Sequence, residues 1–191
     1  MPAGGSVIFL HGASSSGKST IAKALQANLE RPFLHYSIDH LRDSGVWPWD
    51  RIRRGDFAWP EFRDQFFDGY HRSLAGFVTA GNDVIVEHIL DTAGWLAQLQ
   101  TLLADRDVFF VGVRCDLDEL KRREARRNNR PAGSAEADYR TVHSGLQYDF
   151  EVDTSNSDNV IPLVETLIAA WHTRSHPGVF HRLHSAPDVR S

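Results

Sequence analysis

The feature that most constrains this chain is an octapeptide between an apolar run and an amphipathic run. Residues 12–19 read GASSSGKS and match G-x-x-x-x-G-K-[ST], the pattern of a phosphate-binding loop, or P-loop. Residues 7–10 before it are typical of a buried strand, and residues 18–29 have the apolar spacing of a helix. A loop that ends at a helix N-terminus places backbone N–H groups and the helix dipole around an anion. The sequence therefore predicts a site for a nucleoside triphosphate.

The positions of the P-loop have separate chemical roles. Its glycines let the backbone curl with N–H groups toward phosphate oxygens, and Lys18 reaches the β- and γ-phosphates as a positive charge. The Ser19 hydroxyl is a predicted Mg²⁺ ligand. Glu87 follows a later apolar strand and is a second candidate ligand, in the manner of a Walker B acid. The predicted nucleotide-binding residues of the loop are Gly12, Ala13, Ser14, Ser15, Ser16, Gly17, Lys18, Ser19 and Thr20.

Composition indicates one domain and excludes several classes of partner. The 191 residues carry a formal net charge of −4, so no general surface for nucleic acid is expected. Cys115 is the single cysteine, which rules out an internal disulfide and favours a reducing compartment. We see no secretory signal or membrane-spanning run and predict a cytoplasmic protein. The predicted domain covers residues 1–172, and residues 173–191 are predicted to be a tail that is ordered only if it docks.

Alternating strand and helix patterns follow the P-loop. They predict a three-layer α/β/α sandwich of the P-loop NTPase type, with a parallel sheet of about five strands. Asp39 follows the second predicted strand, residues 33–38, and ligands gather at the carboxyl ends of parallel strands. Asp39 is therefore a candidate to accept the proton of a substrate hydroxyl. In the other interpretation, Asp39 is the N-cap of a short helix that begins at His40.

Residues 43–59 are predicted to be irregular and rich in aromatic side chains. Gly45, Pro48 and Gly55 interrupt this segment. Its tryptophans either form a wall of the acceptor site or pin the loop to the domain, and the sequence leaves both interpretations open. The helix that follows, residues 60–80, carries an aromatic stripe that is predicted to face the core.

Arginines cluster after the most apolar strand of the chain. Arg123, Arg127 and Arg130 are spaced i, i+4, i+7 and share one side if their helix extends that far. Such a cluster favours a lid over residues 120–134, whose guanidinium groups neutralise charge on the phosphates in the transition state. The alternative is a solvated helix face. We predict that Arg123 and Arg127 are catalytic and that all three arginines bind the nucleotide.

Two further segments accompany the P-loop and the arginines: residues 111–116, which read VGVRCD, and residues 142–153, which read VHSGLQYDFEVD. With them the sequence resembles the chloramphenicol phosphotransferase family, small P-loop kinases that phosphorylate a hydroxyl of an antibiotic. The resemblance implies a nucleoside-kinase-like sheet, ATP with Mg²⁺ as the donor, Asp39 as the base and lid arginines on the phosphates. Residues 41–61 depart from the family pattern, because they are shorter and filled with tryptophan and arginine.

We therefore expect an ATP-dependent phosphotransferase that moves the γ-phosphoryl group in line to a hydroxyl of a small molecule, with an antibiotic as the expected acceptor. Lys18, Mg²⁺ on Ser19 and the lid arginines would stabilise charge, while Asp39 orients and deprotonates the hydroxyl. Three alternatives remain. One is a kinase of another acceptor, such as a nucleotide sugar, as in zeta toxins, or a metabolic alcohol. The second is an NTPase switch that transfers nothing. The third is a polynucleotide kinase, which the net charge of −4 and the absence of a long basic stripe disfavour.

Overall fold

A computed structural model of the chain describes residues 4–126, 133–156 and 159–183. Its centre is a five-stranded sheet with parallel neighbours and the order β2-β3-β1-β4-β5. The strands are β1 (Ser6–His11), β2 (Leu34–Ser37), β3 (Val84–His88), β4 (Asp107–Arg114) and β5 (Phe150–Asp153). The described helices are α1 (Lys18–Asn28), α2 (Ile38–Asp43), α3 (Trp49–Arg53), α4 (Trp59–Thr79), α5 (Trp95–Leu102), α6 (Leu117–Ala125), α7 (Ser134–Thr141) and α8 (Ile161–Thr173), with a short 3₁₀ helix at Val179–Arg182.

The central strand β1 is buried on both faces. Ile8 and Leu10 are fully buried in a cluster with side chains of α1 and α8. Val7 and Phe9 point to the opposite face and are fully buried against α4, α5 and the 3₁₀ helix. Because both faces are covered, the strand needs apolar residues at every position, and this explains its continuous apolar run. The two cores confirm the predicted three-layer α/β/α sandwich.

Residues 43–59 differ from the prediction. They include the five-residue helix α3, in which the Ile52 N–H donates to the Pro48 carbonyl at 3.1 Å. The prediction of an irregular segment was wrong here because one helical turn is too short to show a period. Trp47 packs from this segment onto α4, with its ring centroid 5.5 Å from that of Phe66.

The aromatic stripe of α4 faces the core along only part of its length. Tyr70 is 1% exposed and Leu74 is fully buried, whereas Phe77 is 41% exposed and Phe66 lines a cavity. The prediction of a core-facing stripe therefore holds for the middle of the helix. None of the described helices, including α4, combines the length and apolar character that crossing a bilayer requires.

The segment after α8 packs onto the second core. Phe180 is fully buried, with its ring centroid 5.6 Å from that of Phe9 and 5.5 Å from that of Phe110. The Asp149 carboxylate accepts the N–H groups of Phe110 at 2.8 Å and of Val179 at 2.7 Å, which ties this segment to β4. Replacing a buried phenylalanine with alanine costs about 3–5 kcal/mol. The chain after α8 thus docks on the domain as far as the structure describes it.

Candidate active site

The P-loop joins the carboxyl end of β1 to the N-terminus of α1. Its backbone is left-handed at Ser15, with φ of 64°, and at Gly17, with φ of 90°, where it caps α1. Gly12 is needed for a different reason, because a Cβ there would lie 2.3 Å from the Val113 carbonyl oxygen. The two motif glycines are thus required by a positive φ and by a close backbone approach. The loop curls in front of a helix N-terminus, where an anion is favoured.

Polar groups inside the P-loop have capacity for an anion. Lys18 Nζ is buried and donates to the carbonyl oxygens of Gly12 at 2.8 Å and Ala13 at 2.7 Å. The hydroxyls of Ser15 and Ser16 are buried and have no hydrogen-bond partner among the described residues. A buried hydroxyl without a partner is destabilising, and phosphate oxygens would supply one. The loop therefore fits a phosphate chain.

Ser19 and Glu87 meet beside the loop because β3 pairs with β1. Ser19 Oγ donates to Glu87 Oε2 at 2.7 Å, and Glu87 Oε1 lies 2.5 Å from His35 Nε2. Burial raises the pKa of Glu87, but the hydrogen bonds from His35 and Ser19 outweigh it, and the pKa lies below its ordinary value. A hydroxyl and an ionised carboxylate are oxygen ligands of the kind that Mg²⁺ takes together with phosphate oxygens. These two residues therefore fit a Mg²⁺ ion.

Asp39 lies within the first turn of α2. The N-cap of this helix is Ser37, whose Oγ accepts the Asp39 N–H at 3.3 Å. The interpretation of Asp39 as the N-cap of a helix beginning at His40 is therefore wrong. The Asp39 carboxylate lies 2.9 Å from Arg42 Nη1 and lines a cavity beside the P-loop. The position leaves this carboxylate available to a ligand of that cavity.

This cavity, which we call the aromatic cavity, has a volume of about 310 Å³. It lies where the carboxyl ends of β2 and β3 face the P-loop, and its size suits a drug-sized ligand. Its aromatic lining consists of Trp49, Trp59, Phe66, Phe67 and Trp95. Trp49 also donates from Nε1 to the Arg42 carbonyl at 2.6 Å, so the same tryptophan pins the loop and lines the cavity. The structure thus shows a tryptophan that pins the loop and lines a cavity, and the assignment of this cavity to the acceptor stays a prediction.

A second cavity, of about 330 Å³, borders the same loop and shares Ser15 and Gly17 with the first. Arg123 lines it and donates to the carbonyl oxygen of Thr154 at 2.6 Å and to Glu119 at 2.6 Å. Thr154 Oγ1 in turn contacts the Ser16 carbonyl oxygen at 2.8 Å. Arg123 is therefore fixed next to the P-loop, and its contact with the phosphates stays a prediction.

The arginine-bearing helix is shorter than a continuous lid requires. Helix α6 ends at Ala125, and Arg126 follows as its C-cap. The i, i+4, i+7 alignment needed the helix to continue through residue 130, whereas the described helix stops before this. Arg127 and Arg130 lie outside the described residues.

Several residues around the P-loop carry no local sequence signal. The Asp138 carboxylate accepts the Ser14 N–H at 2.8 Å across 124 positions of the chain. Arg126 and Arg63 each line one of the two cavities. Thr154 is an exception, because it directly follows a strand at the same edge of the sheet as Asp39. The rule that ligands gather at strand ends would therefore also have identified Thr154.

Comparison with known proteins agrees with the presence of a phosphate site. A family model described as chloramphenicol phosphotransferase-like protein matches residues 5–171. The chain belongs to this family. A curated relative of the chain, from Mycobacterium tuberculosis, is provisionally named an O-phosphotransferase. The two are 28% identical over 198 residues, which cover 94% of this chain and 88% of the relative.

Solved structures share the fold at low sequence identity. The tunicamycin resistance protein of Deinococcus radiodurans has a TM-score of 0.63 at 18% identity and covers 91% of this chain and 99% of its own. An APS kinase of Mycobacterium tuberculosis, solved with AMPPNP and APS, has a TM-score of 0.57 at 22% identity. The match covers 90% of this chain and 99% of the APS kinase chain. A shikimate kinase of Acinetobacter baumannii, solved with shikimate, has a TM-score of 0.58 at 18% identity, covering 88% and 94%. The family and the curated relative identify the chain as an ATP-dependent kinase, and the solved structures share its P-loop kinase fold.

Proposed function

We propose that this kinase transfers the γ-phosphoryl group of ATP directly to a hydroxyl of a small molecule held in the aromatic cavity, and that this acceptor is an antibiotic. One observation carries the proposal. Lys18 and Ser19 of the phosphate site line the same cavity as Asp39 and the aromatic side chains. A donor phosphate and an acceptor hydroxyl can therefore meet without a further binding site between them.

The residues divide the reaction between them. Lys18 and Arg123 stabilise the charge that spreads over the phosphoryl oxygens, and Arg126 adds a cation to the second cavity. Ser19 and Glu87 would hold Mg²⁺, which neutralises charge on the phosphates. Asp39 accepts the hydrogen bond of the acceptor hydroxyl, orients it toward phosphorus and takes its proton as the new O–P bond forms. The bond to ADP breaks with its electrons left on the departing oxygen.

The antibiotic acceptor is supported by the family and by one structural neighbour. The family is named for chloramphenicol phosphorylation, and the tunicamycin resistance protein shares the fold. The aromatic lining suits a flat or apolar scaffold with a few polar groups. Arg42, which pairs with Asp39 at 2.9 Å, would keep the carboxylate oriented toward that scaffold.

An acceptor screen tests the proposal. The full-length protein is incubated with ATP, Mg²⁺ and single compounds, with Lys18→Ala as the control. The compounds are the neutral antibiotics chloramphenicol and tunicamycin, an antibiotic that carries both a hydroxyl and a carboxylate, and the metabolic alcohols shikimate and gluconate. The expected result is the gain of one phosphoryl group by an antibiotic, matched by ADP. The Lys18→Ala control should be slower by about 10²-fold or more. Transfer to a metabolic alcohol alone would reject the antibiotic acceptor. ATP hydrolysis without phosphorylation of any compound would reject phosphoryl transfer.

A further inference from the structure

The positively charged side chains of the aromatic cavity differ in the partners that they contact. Among the described residues that line it, the cations are Lys18, Arg42 and Arg63. Lys18 contacts the P-loop carbonyls and belongs to the phosphate site. Arg42 is held by two carboxylates, that of Asp39 at 2.9 Å and that of Asp43 at 2.7 Å. Arg63 belongs neither to the phosphate site nor to a close pair with Asp39 and Asp43. Its surroundings therefore indicate which ligand group the cavity binds.

Aromatic faces hold the Arg63 guanidinium in place. Its central carbon lies 4.9 Å from the centroid of the Phe67 ring and 4.8 Å from that of the Trp95 ring. It also donates to Thr92 Oγ1 at 3.2 Å. A guanidinium stacks well on ring faces, and these contacts fix the position of its charge while its other N–H groups keep donor capacity.

Two exposed carboxylates lie within ion-pair distance of Arg63 but beyond hydrogen-bond distance. That of Asp91 lies 3.6 Å away and that of Asp64 lies 3.8 Å away, with side chains 48% and 92% exposed. No carboxylate of the described residues comes within hydrogen-bond distance of this guanidinium. Exposed pairs of this kind are weak, so Asp91 can turn to solvent when a better anion arrives.

We infer that Arg63 determines acceptor specificity by binding an anionic oxygen group of the acceptor, such as a carboxylate, sulfate or phosphate. The inference rests on the proposed function, because it takes the aromatic cavity as the acceptor site. The acceptor is then a hydroxyl compound with an anionic group. Its hydroxyl lies at Asp39, and its anion takes the place of the exposed Asp91 carboxylate beside Arg63, away from the carboxylates of Asp39 and Glu87. Arginine suits this role because its planar N–H groups match an oxyanion in two hydrogen bonds.

A matched pair of small aromatic alcohols tests this inference. The probes are 4-(hydroxymethyl)benzoate and its neutral counterpart 4-(hydroxymethyl)benzamide, titrated into the full-length protein. Tryptophan fluorescence reports binding, since Trp49, Trp59 and Trp95 line the cavity. A charge-assisted contact predicts that the benzoate binds about ten- to a hundredfold more tightly than the benzamide.

Variants assign the preference to one side chain. Arg63→Gln keeps a donor for Thr92 and should reduce the affinity ratio of the two probes to about one, while Arg63→Lys should restore part of it. Arg72→Gln is the matched control. Arg72 lies on the same helix, pairs with Asp68 at 2.8 Å and is not part of the cavity lining. It should leave the ratio unchanged. A purely structural role for Arg63 would weaken both probes equally and would leave their ratio unchanged.

Equal affinity for the two probes, or no saturable binding of either, overturns the inference. A preference that survives in Arg63→Gln also overturns it. The transfer assay reports separately on the proposed function. If the benzoate binds preferentially but no hydroxyl compound is phosphorylated, phosphoryl transfer fails and anion recognition by Arg63 stands. If hydroxyl compounds are phosphorylated whether or not they carry an anionic group, phosphoryl transfer stands and anion recognition by Arg63 fails.

Discussion

Replacing Asp39 with asparagine separates a catalytic carboxylate from a helix-stabilising one. The substitution keeps the size of the side chain and the backbone N–H that Ser37 caps, and it removes a negative charge. Two stabilising effects are lost. An acid in the first turn of a helix contributes about 0.3–1 kcal/mol. The i,i+3 pair with Arg42, whose side chains are 30% and 32% exposed, contributes about 0.2–1 kcal/mol after screening by solvent.

The expected loss in the free energy of unfolding is therefore about 1 kcal/mol, or about 2–4 °C in Tm for a domain of this size. Phosphoryl transfer should fall far more, by about 10²–10⁴-fold, since the base and the orienting charge are gone. ATP binding should be unchanged. A melting curve, a nucleotide titration and a transfer assay on one preparation of Asp39→Asn give the three quantities.

Asp43→Asn is the matched control, because Asp43 lies on the same helix, pairs with the same Arg42 at 2.7 Å and does not line the aromatic cavity. It should lose less stability than Asp39→Asn, because it removes an ion pair but no acid from the first turn of α2, and it should keep its activity. Full activity of Asp39→Asn at nearly normal Tm would reduce Asp39 to a surface ion pair. Equal loss of activity in the two variants would assign the effect to Arg42 or to the fold of α2.

Three further predictions concern the metal, the nucleotide and the core. Glu87→Gln should raise the Mg²⁺ concentration needed for half-maximal transfer by about 10–100-fold, and chelation by EDTA should abolish wild-type transfer; an unchanged Mg²⁺ titration contradicts the assignment. Arg123→Ala should lower kcat more than it raises the KM for ATP, whereas Arg122→Ala, outside both P-loop cavities, should do neither. Burial lowers the pKa of His11 to about 4, so the unfolded chain binds a proton first as the pH falls, and stability decreases between about pH 6.5 and 4. His11→Asn should flatten this decrease by up to about 3 kcal/mol in unfolding experiments, and an equal slope in both proteins would refute it.

The part of the site that could be predicted lies at strand ends. Lys18 and Ser19 follow from the P-loop pattern, and Asp39 and Glu87 follow from the rule that ligands gather at the carboxyl ends of parallel strands. The role of Asp39 in α2 was harder to predict, because β2 ends at Ser37 and this earlier residue supplies the cap. A shift of one or two residues in an element boundary is enough to change which side chain caps a helix.

The remaining contacts depend on tertiary structure. Arg63 acquires its significance from Trp95 and Asp91, which come from other parts of the chain. Its i,i+4 neighbour Phe67 was visible in the sequence as a possible cation–π partner, but this spacing does not show that a cavity lies beside it. Arg123 was predicted from the spacing of the arginine cluster, and its anchor Thr154, at the end of β5 and 31 positions away, was not part of that pattern.

Some candidate site residues lie at strand ends, and others reach the site only through tertiary contacts. This difference explains why the reaction is easier to infer than the acceptor. In the order β2-β3-β1, the strand ends that lead to Asp39, Glu87 and the P-loop are neighbours. Adjacent strands lie about 4.8 Å apart, so Asp39 and the P-loop begin about 10 Å from each other. A hydroxyl, a phosphoryl group and the hydrogen bonds that hold them fit this interval. The sheet thus places the candidate transfer groups at its strand ends, whereas the aromatic lining comes from α3, α4 and α5 and not from the strand ends. Those helices can change the acceptor without moving the reacting groups.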